Sequence, residues 1–200
     1  GPMGICDLAN VSKDYGTGPA RVQALRDITL SIEPREFTVF AGPSGSGKTT
    51  LLNMVGCLDI PTAGTVTIDG TDVGKLSHRA LAALRATHIG FIFQSFNLIP
   101  VLSAQENVEL ALQFTGFKGD KSAVSAKILA DVGLGDLLHR RPDQLSGGQQ
   151  QRVAVARALV KKPSIIIADE PTANLDTASG GNVLDIMRDM NEKLGITFLF

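Results

Sequence analysis

Short apolar runs rich in Val, Ile and Phe alternate along the chain with longer segments in which apolar positions recur at helical spacing. The runs predict strands over residues 5–11, 28–32, 37–41, 65–68, 89–93, 164–168 and 196–200. The periodic segments predict helices over 48–57, 77–86, 104–114, 121–132, 147–160 and 178–193. Such alternation belongs to an α/β domain built around a mostly parallel core sheet. Between about 95 and 162 the strand pattern stops and helix follows helix. A helical subdomain is therefore expected to be inserted into a core made of residues 3–94 and 163–200, the whole forming one domain over 3–200 with a lobe suited to docking. Gly1-Pro2 ahead of Met3 looks like the scar of a cleaved tag, and the closing run Ile196-Thr197-Phe198-Leu199-Phe200 reads as a domain cut within a core strand.

Composition narrows the function classes. Two hundred residues at 44% hydrophobic are enough for one sizeable core. No apolar run approaches the ~20 residues that span a bilayer, so the chain is expected to reach a membrane only through a partner. A net charge of −1 gives no global reason to expect nucleic acid. Cys6 and Cys57 are too few and too far apart to suggest a disulfide framework or a zinc site.

The segment Gly42-Pro43-Ser44-Gly45-Ser46-Gly47-Lys48-Thr49 fits the Walker A pattern and stands between an apolar strand and a helix, where phosphate binding requires it. Glycines at Gly42, Gly45 and Gly47 let the backbone, with Ser44 and Ser46, turn its N–H groups inward, and the helix opening at Lys48, Thr49 and Thr50 adds the positive end of its dipole. Lys48 is placed to neutralise the β- and γ-phosphates of ATP, and the Thr49 hydroxyl to ligate Mg2+. Ile165-Ile166-Ile167-Ala168-Asp169-Glu170 is an apolar strand ending in two acids, the Walker B arrangement. Because strand carboxyl ends line the ligand crevice of a parallel sheet, Asp169 is expected at the same metal ion and Glu170 at the attacking water as general base. Together these motifs indicate a P-loop NTPase.

The choice within that class rests on Leu145-Ser146-Gly147-Gly148-Gln149, continued by Gln150-Gln151-Arg152, which resembles the signature motif of ATP-binding cassette (ABC) transporter subunits. Ser146 stands just ahead of a helix whose N–H groups can receive a phosphate. The resemblance covers essentially all of the chain from Met3. It implies the ABC ATPase fold, including a small antiparallel β subdomain, and a phosphate at the signature that belongs to ATP held by an opposite subunit. By the same resemblance Tyr15 stacks on adenine, Gln94 links magnesium or water to the helical lobe, and Asp176 of Asn174-Leu175-Asp176 lies at the dimer interface.

The stretch from Phe91 to Pro100, with Glu106-Asn107-Val108 and Gly56-Cys57-Leu58-Asp59, is similar to the subgroup serving lipoprotein-releasing, macrolide-export and division-associated systems. That likeness implies an ATPase that powers an integral-membrane permease, an exporter of lipoprotein, macrolide or peptide type. It also implies a homodimer that closes on ATP at the cytoplasmic face of the inner membrane, with Phe96, Leu98 and Ile99 beside the groove for the permease. The family's switch histidine follows the strand at 196–200 and lies beyond Phe200, so this stretch alone is expected to bind Mg-ATP and hydrolyse it poorly. Two competing readings share the motifs: a soluble ABC ATPase of DNA repair or translation, and an ATPase that regulates cell division.

Overall fold

The structure is a computed structural model that describes residues 4–40 and 47–200. In chain order its elements are β1 (Cys6–Tyr15), β2 (Val22–Ile32), β3 (Phe37–Thr38), α1 (Lys48–Val55), β4 (Ala63–Ile68), β5 (Thr71–Asp72), α2 (His78–His88), β6 (Ile89–Phe93), α3 (Ala104–Leu110), α4 (Lys121–Asp131), α5 (Gly147–Leu159), β7 (Ile165–Asp169), α6 (Thr177–Leu194) and β8 (Thr197–Leu199).

The strands sort into two sheets. One is parallel, in the order β3-β8-β7-β6; the other is antiparallel, in the order β2-β1-β4-β5. The runs at 5–11, 28–32 and 65–68 belong to the antiparallel sheet, the small β subdomain that the resemblance implied. Several boundaries also move, among them the start of β2 and the end of α3. β2 begins at Val22, six residues before the predicted start, because the β1–β2 ladder passes through irregularities at which Asn10 and Asp27 take left-handed backbone conformations (φ 52° and 47°). Such irregularities interrupt the simple alternation that marks a strand. Helix α3 closes at Leu110, and residues 111–116 continue as turns.

Strand β7 is buried on both faces, which accounts for its unbroken apolar run. Ile166 and Ala168 join a core with Val108, Leu129, Val153 and Phe198, while Ile165 and Ile167 join a second core with Leu8, Leu52, Val55 and Ile89. The helical lobe closes over the first core and the antiparallel sheet over the second. At full burial each large side chain contributes about 1.5–3 kcal/mol, so this central strand anchors both halves. Its last residue, Asp169, is thereby delivered to the sheet's carboxyl edge, in register with Phe93 of β6.

Side-chain caps fix where the helices begin. Ser103 and Glu106 form a reciprocal capping box on α3, and Ser146 and Gln149 do the same on α5. Asn107, fully buried, accepts from the Ile99 amide and donates to the carbonyls of Ile99, Leu102 and Ser103, which holds the chain leading into α3. Cys6 and Cys57 are free and fully buried. Burial raises both thiols, Cys57 to about 11, so both remain protonated at neutral pH.

Candidate functional site

At the start of α1, Gly47 has a φ of 92°, and a Cβ there would lie 2.6 Å from the Ala24 carbonyl of β2. Only glycine satisfies both the left-handed turn and the close approach. Two residues later the Thr49 hydroxyl donates to Asp169 Oδ2 at 3.2 Å, while the ammonium of Lys48 lies 3.9 Å from Asp169 Oδ1. Thr50 follows in the first turn of the same helix. The remaining predicted phosphate-loop residues, Gly42, Ser44, Gly45 and Ser46, lie outside the described residues.

A hydroxyl and a carboxylate meeting at 3.2 Å supply hard oxygen donors. Mg2+ takes such donors, usually one or two protein groups with substrate phosphates and water completing its shell. The residues present fit that ion. Among the described residues no group of three or more His, Cys, Asp or Glu is arranged to hold a metal.

Glu170 follows at once, exposed and with a φ of 48°. A left-handed conformation in a residue other than glycine costs on the order of 1–3 kcal/mol and is kept where surrounding structure imposes it. Here the chain must turn sharply off the end of β7, and the Ala173 amide closes that turn on the Glu170 carbonyl at 3.2 Å. Gln94 stands at the matching position after β6. Its Nε2 donates to Asn174 Oδ1, and its carbonyl accepts from Asn174 Nδ2, both at 3.2 Å. The chain past β7 therefore clasps the chain past β6.

A second cluster forms where α5 and α6 start. The Ser146 hydroxyl accepts from the Gln149 amide at 3.2 Å, and Gln149 Oε1 accepts from the Ser146 amide at 3.0 Å. Asp176 caps α6 by accepting from the Ser179 amide at 3.1 Å. Hydrogen bonds from Ser179 hold the Asp176 carboxyl below the usual carboxylate range. A Cβ on Gly148 would come within 3.0 Å of the Ser179 Cβ, and one on Gly147 within 3.3 Å of Leu175. Ser146, Gly147, Gly148, Gln149 and Asp176 thus share one surface. Among the described residues none of them bonds to Lys48, Thr49 or Asp169, so the two clusters are separate.

Tyr15 ends β1 opposite Val22, on the same stretch of sheet whose Ala24 carbonyl meets Gly47. Its ring is 41% exposed, and its hydroxyl donates to Asp59 Oδ2 at 3.1 Å. Burial works against the Asp59 carboxylate, but hydrogen bonds from Lys13, the Ile60 amide and Tyr15 outweigh it and keep its pKa below the usual range. The ring is thereby fixed, with the Lys13 ammonium 5.2 Å from its centroid.

Beside the Gln94 segment, Arg157 of α5 donates to the carbonyls of Asn97 at 2.7 Å and Phe96 at 3.0 Å, both residues being left-handed. Arg157 and Lys161 line a groove of about 330 Å³ with Phe91, Phe93, Asn97 and Ala111. Burial, followed by repulsion from Arg157 and Arg85, lowers Lys161 to about 8. Leu98 packs against the core, whereas Ile99, Val101, Leu110 and Phe114 are exposed. Asn174, Arg157 and Asp59 had no functional signal in the sequence beyond their places in larger motifs. A long side chain bonding a distant carbonyl leaves no periodic trace.

The family model for the ABC transporter matches residues 25–173. An uncharacterized ABC transporter ATP-binding protein of Thermotoga maritima is 50% identical over 189 residues, which is 94% of this chain and 81% of that protein. The lipoprotein-releasing system ATP-binding protein LolD of Anaeromyxobacter dehalogenans is 46% identical, with 96% and 82% covered. The macrolide export ATP-binding/permease protein MacB of Neisseria gonorrhoeae is 47% identical over 95% of this chain, which spans only 30% of that longer protein. Among solved structures, the dimeric ATP-binding cassette MJ0796 bound to ADP and Pi superposes with a TM-score of 0.86 at 44% identity, covering 97% of this chain and 86% of that one.

Proposed function

Because the chain belongs to the ABC transporter family of ATP-binding ATPase subunits, we propose that it powers an exporter of the lipoprotein, macrolide or peptide type by closing, as a homodimer, on two ATP molecules. The observation that carries this reading is the convergence of Lys48 and Thr49 on the two oxygens of Asp169, with Glu170 next in the chain. Relatives named for lipoprotein release and macrolide export supply the direction of transport.

In this reading Lys48 neutralises the β- and γ-phosphates, and the ring of Tyr15 receives the adenine. Thr49 and Asp169, together with Gln94, would hold Mg2+, which would supply positive charge to the phosphates. Glu170 accepts the proton of the attacking water. Lys48, Thr49, Gln94, Asp169 and Glu170 serve one nucleotide, while Ser146 and Gly148 of a second copy offer a helix N-terminus to the same γ-phosphate. Two half-sites that do not meet within one chain become whole sites between two. Closure is favoured because ATP contacts both copies only when they are closed, and cleavage removes that differential affinity.

Among the described residues no helix is long and apolar enough to cross a membrane. We place the chain at the cytoplasmic face through a permease subunit, seated at the exposed Ile99, Val101, Leu110 and Phe114 beside the Lys161 groove. Glu170→Gln removes the general base and leaves the nucleotide contacts. In saturating Mg-ATP this variant is expected to run as a dimer by light scattering; a persistent monomer overturns the closure model.

A further inference from the structure

The ladder between β6 and β7 ends at Phe93 and Asp169, and the two chains then part to place Gln94 on one side and Glu170 on the other. The Phe93 carbonyl at that end, which also accepts from the Phe96 amide at 3.3 Å, and the Pro171 carbonyl beyond it share a further donor. One side chain meets both of them: Gln151 of α5, fully buried, whose Nε2 donates to the Phe93 carbonyl at 2.9 Å and to the Pro171 carbonyl at 2.5 Å. We propose that Gln151 is a positioning residue for ATP hydrolysis, fixing the backbone on either side of the catalytic pair so that Gln94 and Glu170 hold their separation.

Three features support this assignment. The acceptors belong to the residue immediately before Gln94 and the residue immediately after Glu170, so displacing either carbonyl displaces a group proposed to act on the γ-phosphate or its water. Among the described residues the buried Gln151 Oε1 has no hydrogen-bond partner. Buried polar atoms are rarely left unmatched. Finally, Gln151 lies in the second turn of the helix that Ser146 opens, so the backbone at the catalytic edge is tied to the element that would receive the other copy's nucleotide. A helix moves as a unit, and a shift at its N-terminus reaches both carbonyls through this amide.

The inference rests on the ATPase reading, and wild-type turnover in the full-length protein tests that reading separately. Gln151→Met keeps the length of the side chain and removes the donor. The expected result is a fall in kcat of at least tenfold while the KM for ATP stays within about twofold, since the Lys48 and Thr49 contacts are untouched. Gln151→Ala opens a carbonyl-lined space that water can enter, so it provides a folded variant should methionine prevent folding; the same split is expected of it. Val155→Ala, in the buried middle of the same helix, controls for simple loss of stability. A kcat within twofold of wild type in a folded Gln151 variant, or a joint change of kcat and KM equal to that of Val155→Ala at matched melting temperature, overturns the proposal.

Discussion

Asn174 holds Gln94 from two directions, its Nδ2 donating to the Gln94 carbonyl and its Oδ1 accepting from the Gln94 side chain, both at 3.2 Å. Asn174→Ala releases both contacts without touching Lys48, Thr49 or Asp169. At about 1 kcal/mol for each neutral hydrogen bond, losing both is expected to lower kcat by up to roughly thirtyfold with little change in KM for ATP, read from steady-state phosphate release.

Asp169 serves Lys48 and Thr49 at once, so its charge and its shape can be separated by substitution. Asp169→Asn preserves an oxygen for the Thr49 hydroxyl but removes the negative charge. The Mg2+ concentration giving half-maximal ATPase activity should rise on the order of tenfold or more, because a charged acceptor has become a neutral one. An unchanged magnesium titration would place the metal elsewhere.

Ser146 is both a helix cap and the proposed phosphate contact across the dimer, and two substitutions distinguish these roles. Replacing a cap residue by alanine costs about 1 kcal/mol, whereas glycine costs only a few tenths. Ser146→Gly should therefore melt close to wild type by calorimetry, with Ser146→Ala lower. Both should lose most ATP turnover if the hydroxyl reaches the phosphate, and turnover that followed melting temperature alone would leave Ser146 only the capping role.

Lys161 gives a pH prediction whose sign follows from its lowered pKa. The folded state releases the proton at about 8, whereas the unfolded chain holds it to 10.5. The unfolded state thus binds more protons in that interval, and the charged side chain costs stability that is fully present below 8 and disappears as pH rises toward 10.5. Discounting for partial exposure, Lys161→Met should raise the melting temperature at pH 7 by about 2–4 °C, the shift that roughly 1 kcal/mol makes in a chain of this size. The advantage should shrink through pH 9 and vanish near 10.5.

The sequence made some parts of this molecule plain and hid others for physical reasons. The apolar run ending in Asp169-Glu170 was legible because a strand buried on two faces admits no polar residue until it leaves the core. Gly47-Lys48-Thr49 was legible because phosphate binding fixes the order of a turn, a charge and a hydroxyl. The sorting of strands into two sheets was not written in any single run, since a run at 28–32 looks the same whichever sheet receives it. The early start of β2 was obscured by the irregular pairing near Asn10 and Asp27. Gln151 lay in plain view within the signature continuation, yet its two carbonyl partners are 58 and 20 residues away. Only packing brings them together.

Helix α5 is capped within its own first turn by Ser146, and Gln151 and Arg157 tie it to two different pieces of backbone outside it. Those positions span about 16 Å of helix, and each residue advances the side-chain direction by roughly 100°. A single-residue deletion or insertion between Ser146 and Arg157 would keep every motif readable while rotating one end of the helix against the other. Natural variation along this stretch should therefore be confined to substitutions, since its length acts as a phase that the rest of the molecule must match.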